Sequence, residues 1–228
     1  EQNALIGLFS LKFLNINNNN IKILNGNLFS NLKNLERLNF QSNNLYRIEK
    51  NAFTGLDSSL KYLLLSDNKF EFLKSFYFEN LSYLTILNLR KNSISSIQSG
   101  SFSNLPLIKI LDLGDNCLFK IDSNLFSTNK FLSSLHLDHN QIKNFSINWD
   151  SILNLLFINC ENNLLSVLDL RILNKMARLK TVIFSNNYIY KVNCERNNLD
   201  SMLKITTLNL ENNSKIKMAN IDSKCFQH

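Results

Sequence analysis

The side chains best equipped for chemistry gather in one stretch. His136, Asp138 and His139 follow Asp112 and Asp115, with 24 residues separating Asp112 from His136 and Asp115 from His139. Imidazole and carboxylate brought side by side can hold a metal ion or pass a proton. Surface histidines near aspartates are far more often only that, so no metal site, cofactor or catalytic residue is assigned. No G-x-S-x-G, phosphate-binding loop, H-E-x-x-H or glycine-rich dinucleotide turn occurs, and five glycines leave little room for one. Among the four cysteines there is no C-x-x-C, which argues against a ribbon-type zinc site. Cys160 and Cys117 read as unpaired, Cys160 as a small buried hydrophobe. The sequence therefore points to binding rather than catalysis.

What must position these groups is a repeat. An apolar L-x-x-L-x-L triplet starts at Leu11, Leu35, Leu60, Leu84, Ile108, Leu132, Leu155, Leu179 and Ile205, at spacings of 23 to 26 residues. The ninth residue of every copy is an asparagine: Asn19, Asn43, Asn68, Asn92, Asn116, Asn140, Asn163, Asn187 and Asn213. Phe29, Phe53, Phe78, Phe102 and Phe126 recur at the nineteenth. A fixed period of this length is the mark of a solenoid. Positions four and six point to one face of a short strand, and three, five and seven to the other. An asparagine amide both donates and accepts, so a stacked column of them satisfies the backbone of a buried turn. The phenylalanines fill the wider outer layer, which bends the stack with its sheet inside. The second half of each repeat has few consecutive helix formers and is expected to form short 3₁₀ or irregular segments.

Composition agrees. The 228 residues include 42 leucines and 39 asparagines, with one proline and a net charge of +7. Asparagine favours turns over helices and strands, so the chain reads as alternating apolar strand and turn. No window approaches about 18 uninterrupted apolar residues, so no membrane-spanning helix is expected. The expected organisation is a partial repeat or makeshift cap at 1–10, eight repeats at 11–204, and a degenerate ninth repeat with a C-terminal cap at 205–228.

The strand side chains facing away from the core are free to meet a ligand. Tyr62, Leu64, Ile86, Ile110 and Phe157 are apolar there without an internal reason, which suggests a protein-contact patch. Charge is uneven along the face: Arg37 and Arg90 stand in the first half, and Asp112, Asp138 and Glu161 follow with His136. A two-signed surface suits a protein partner better than a uniform polyanion. The net positive charge keeps heparan sulfate or nucleic acid as the alternative class.

The pattern L-x-x-L-x-L-x-x-N-x-L with an F-x-x-L tail, over about residues 3–213, resembles the "typical" leucine-rich repeats. These occur in Toll-like receptor ectodomains, Slit-type guidance proteins, small proteoglycans and mosquito leucine-rich-repeat immune proteins. The resemblance implies an α/β solenoid, a right-handed curved horseshoe with a parallel sheet on its concave face. It further implies a non-enzymatic extracellular module, in innate immune recognition or as a receptor ectodomain, that binds a protein ligand or co-receptor. Adhesion, guidance and matrix roles are the alternatives, and membrane attachment would need a further segment. The flanking cysteine clusters of such arrays are absent at the N-terminus and reduced at the C-terminus. Cys194 and Cys225 fall in the irregular last repeats, where neighbouring turns lie close, and are expected to form one cap disulfide. Of the three N-x-S/T sequons, Asn80 and Asn144 are the expected acceptors; Asn212 adjoins the ladder and is disfavoured.

Overall fold

The computed structural model describes residues 5–144, 147–170, 176–193 and 204–217. Within them the chain winds as a solenoid whose repeats each contribute one three-residue strand to a nine-stranded parallel sheet. The sheet runs in strict sequence order from Phe13–Asn15 to Thr207–Asn209. Register is in phase throughout: Leu14 pairs with Leu38, Leu38 with Leu63, and Leu63 with Leu87. The column continues through Leu111, Leu135, Ile158, Val182 and Leu208. A slip of one residue would turn this apolar column to solvent, so the alternation itself holds the register.

The predicted amide ladder is present. Each asparagine from Asn43 to Asn213 accepts, through Oδ1, a backbone N–H two residues past the ladder asparagine of the preceding repeat. Its Nδ2 donates back across the joint as well as within its own turn, as Asn68 does to Phe40 O, Leu65 O and Ser66 O at 3.0–3.1 Å. Asn19, with no earlier rung among the described residues, is exposed and donates only to its own turn, at Ile16 O and Asn17 O. The residue before each rung has positive φ in all nine repeats, between 51° and 57°. Asparagine or aspartate occupies six of these positions, the side chains that tolerate left-handed backbone best. Ser42, Lys91 and His139 occupy the rest.

The outer layer carries the phenylalanine column. Phe29, Phe53, Phe78, Phe102 and Phe126 are all buried. Phe78, Phe102 and Phe126 stack in series at ring-centroid distances of 6.1 Å. Trp149 and Ile152 take over the apolar layer in repeat six, beside a 3₁₀ turn at Trp149–Ser151 that Asn148 caps. Between these groups the chain advances in successive i to i−3 turns, such as Leu32 N–H to Phe29 O at 2.9 Å and Leu35 N–H to Leu32 O at 3.0 Å.

As expected of the outer half of each repeat, the described residues form turns, short strands and brief 3₁₀ backbone there, and they contain no α-helix. Three two-stranded parallel pairs supplement the outer turns, at Ile23–Leu24 with Arg47–Ile48, Phe72–Leu73 with Ser96–Ile97, and Val167–Asp169 with Lys191–Asn193. The ninth repeat keeps its strand and its ladder asparagine. Cys194, Cys225 and the cap beyond residue 217 lie outside the described residues, as do Phe145 and Ser146 of the Asn144 sequon. Asn80 and Asn144 are exposed. Cys160 is a buried free thiol whose ionisation burial pushes well up, and Cys117 is free and half-buried. No helix of the described residues is long and apolar enough to cross a membrane.

Candidate functional site

Because the strands are in register, position three forms a continuous row: Phe13, Arg37, Tyr62, Ile86 and Ile110. The Arg37 guanidinium carbon lies 5.5 Å from the centroid of Phe13 and 5.9 Å from that of Tyr62. Phe13 is 49% exposed and Tyr62 37%. An arginine held between two rings is rigid yet still offers its edge N–H groups outward. Leu64, Ile86 and Ile110 extend this strip and are half-buried. Beside it, Lys61 donates to Glu36 at 2.9 Å, and that hydrogen bond holds the exposed Glu36 carboxyl below the usual range.

The middle of the face is a closed electrostatic knot. Arg90 reaches Asp115 through Nε at 2.8 Å, Asp112 through Nη1 at 3.2 Å and Asp138 through Nη2. Asp138 stands two repeats away from Arg90, so the guanidinium must cross the strand exit of repeat five. Gly114 occupies that crossing, and a Cβ there would meet Arg90 Nη1 at 2.2 Å. The hydrogen bond to Asp138, aided by the three carboxylates, raises the Arg90 pKa beyond its already high ordinary value. Asp138 is 3% exposed and can offer little to a ligand. The carboxylates thus converge on Arg90 rather than on the histidines. Among the described residues no group of three or more His, Cys, Asp or Glu side chains is arranged to hold a metal ion.

Farther along, the His136 ring lies 4.8 Å from Phe157 and bonds the Ser134 hydroxyl at 3.0 Å. Glu161 accepts from Asn186 at 2.9 Å. His139 stands apart from His136, 4.0 Å from Asp115 and 3.2 Å from the Asn162 amide.

Position five is less free than its exposure on the strand suggests. Asn15, Asn39, Asn88, Asp112, Asn159 and Asn209 each accept the backbone N–H two residues on. These side chains cap the strand ends as Asx turns, and their recurrence at one position was the available signal. Leu64, His136 and Ile183 stand at position five without this duty.

The knot makes a testable prediction. Gly114→Ala displaces the guanidinium, and Arg90→Met removes it; each is expected to destabilise by about 1–3 kcal/mol, the charge contribution discounted because Arg90 is partly solvated. Urea unfolding of the double variant reads the coupling. If the crossing is what matters, Arg90→Met costs much less in the Gly114→Ala background than in the parent. Fully additive losses would contradict it.

The known proteins that this chain is similar to agree with its geometry. A family model described as leucine rich repeat matches residues 9–70, 58–118 and 82–142. Among solved structures, the crystal structure of a TLR13–ssRNA13 complex is 27% identical, with a TM-score of 0.67 over 88% of this chain and 32% of that one. An LRR protein of Leptospira interrogans, LIC12759, has a TM-score of 0.81 at 23% identity, over 93% of this chain and 52% of the other, and speaks for the fold alone. The chain thus spans about a third and about half of those two proteins. No curated protein matches it. The matched windows together run from residue 9 to residue 142, more than half of the sequence, and the chain belongs to the leucine-rich repeat family.

Proposed function

We propose that this chain is a ligand-recognition module of an extracellular protein of the "typical" repeat class, acting in innate immune recognition, and that it holds a protein partner against the first half of its sheet face. The family generally serves as a non-enzymatic binding scaffold. The observation that carries the reading is the Phe13–Arg37–Tyr62 stack continuing into Ile86 and Ile110. Aromatic rings and arginine are the residues that most often anchor protein interfaces, and none of these side chains is needed by the core. Secretion also suits the exposed Asn80 sequon.

The test places a photo-crosslinking residue at Tyr62 or, as a control, at Phe119, which is exposed outside the sheet. Each protein is irradiated in extracellular fluid of the source organism. The expected result is a discrete protein adduct from position 62 that excess parent chain competes away and the Arg37→Ala/Tyr62→Ala double variant does not. Adducts of equal yield from both positions would contradict the reading.

Nucleic acid is the second reading. The similar TLR13 structure is a complex with ssRNA13, and an arginine between aromatic rings with a net charge of +7 is also a platform for bases. It predicts RNA binding that falls steeply with salt and is lost with Arg37→Ala and Tyr62→Ala.

A further inference from the structure

On the outer side of the coil the short strands do not form one ladder. Arg47–Ile48 pairs back to repeat one and Phe72–Leu73 forward to repeat four, but the two do not pair with each other. A cleft of about 450 Å³ lies at this break between repeats two and three. Its floor is Tyr77, a buried phenol whose ionisation burial pushes up. Tyr46 and Phe72 line it and are 50% and 44% exposed, although a solenoid has no packing use for rings there. Arg47, Lys69 and Lys74 line it with one lining carboxylate, Glu71, and a second, Glu49, already engages Arg47. The Lys74 ammonium sits 5.5 Å from the Phe72 ring centroid and 5.6 Å from that of Phe76, and Arg47 is bridged at 3.2 Å to Glu49 at the edge.

Two requirements on an occupant follow. The walls suit a flat apolar ring, which stacks on aromatic faces. The cations suit an oxyanion at the end of that ring, since lysine and arginine form charge-assisted hydrogen bonds with phosphate and sulfate oxygens. The volume lies within the range of small-ligand pockets and is too small for a polymer duplex. Glu71 opposes a bare anion that brings no ring to offset its repulsion.

We propose that this cleft binds an aryl oxyanion, a tyrosine side chain esterified with sulfate or phosphate on a partner polypeptide. The ring lies between Tyr46 and Phe72, and the ester oxygens meet Lys69, Lys74 and Arg47. The site lies off the sheet face and stands or falls separately from the reading given above.

Calorimetric titration at 0.15 M salt tests it, with N-acetyl amides of O-sulfotyrosine, O-phosphotyrosine and tyrosine, together with inorganic sulfate and adenosine monophosphate. One-to-one binding of at least one tyrosine ester, with tyrosine and sulfate at least tenfold weaker, is the expected result. The tighter of the two esters identifies the modification. Lys74→Ala and Phe72→Ala each weaken it at least fivefold, Lys74→Arg retains it, Glu71→Gln tightens it and Tyr62→Ala leaves it unchanged. All these positions are solvated, so melting temperatures stay near that of the parent. Absence of binding, equal binding of unmodified tyrosine or sulfate, preference for the nucleotide, or indifference to Phe72→Ala would each overturn the proposal.

Discussion

Asn116→Ala lowers the free energy of unfolding by about 3–5 kcal/mol, because it strands several backbone groups where water cannot replace the lost amide. Asn116 Nδ2 donates to Leu89 O at 3.1 Å and to Leu113 O and Gly114 O at 3.0 Å, and Oδ1 accepts from Ile94 N–H at 3.0 Å. The side chain is buried, and two of these partners belong to the preceding repeat. Alanine therefore weakens the joint between repeats as well as one turn. Asn19→Ala is the internal control: its amide is exposed and donates only to Ile16 O and Asn17 O, so the expected loss is under about 1 kcal/mol. Chemical denaturation of both variants decides the matter. Equal losses at the two positions would mean that the column of amides does not hold neighbouring repeats together.

Phe102→Ala is expected to cost a similar amount, about 3–5 kcal/mol, by a different route. Its ring is fully enclosed, stacked on Phe78 at an interplanar angle of 20° and on Phe126 at 6°. Removing it leaves a void between two flat partners. Neither can swing in to fill that void, because each is held in its own repeat. Phe131, 54% exposed, gives the comparison: Phe131→Ala should change stability by less than about 0.5 kcal/mol. Thermal melts separate the two variants by several degrees, and coincident curves would refute the spine.

The strand leucines, the ladder asparagines and the phenylalanine column were all legible in the sequence, because each recurs as a residue type at one position. Left-handed backbone one residue before each rung was not. Ser42, Lys91 and His139 interrupt the asparagine and aspartate pattern there, and the turn imposes its conformation on whichever residue arrives. The extent of the Arg90 knot was hidden for another reason. Neighbouring repeats are 24 residues apart and invite adjacent pairings, whereas Arg90 reaches Asp138 across 48 residues through a gap that only Gly114 leaves open. Asp138 therefore reads from the sequence as a ligand-facing residue, although it is nearly enclosed. Arg37 and Tyr62 stand out singly, and their sandwich with Phe13 emerges only when the register is known.

The outer cleft escaped the sequence for a similar reason. Tyr46 and Phe72 occupy different positions of their repeats, so neither forms a recurring column. Only the missing pairing between Arg47–Ile48 and Phe72–Leu73 brings them to one opening.

A stack whose layers touch only their immediate neighbours unzips from its ends one layer at a time. The guanidinium clasp breaks that rule in the centre, tying the fourth layer to the sixth over the head of the fifth. Pulled from either terminus, the molecule should peel in small steps until it reaches this clasp and then release three layers in a single larger event.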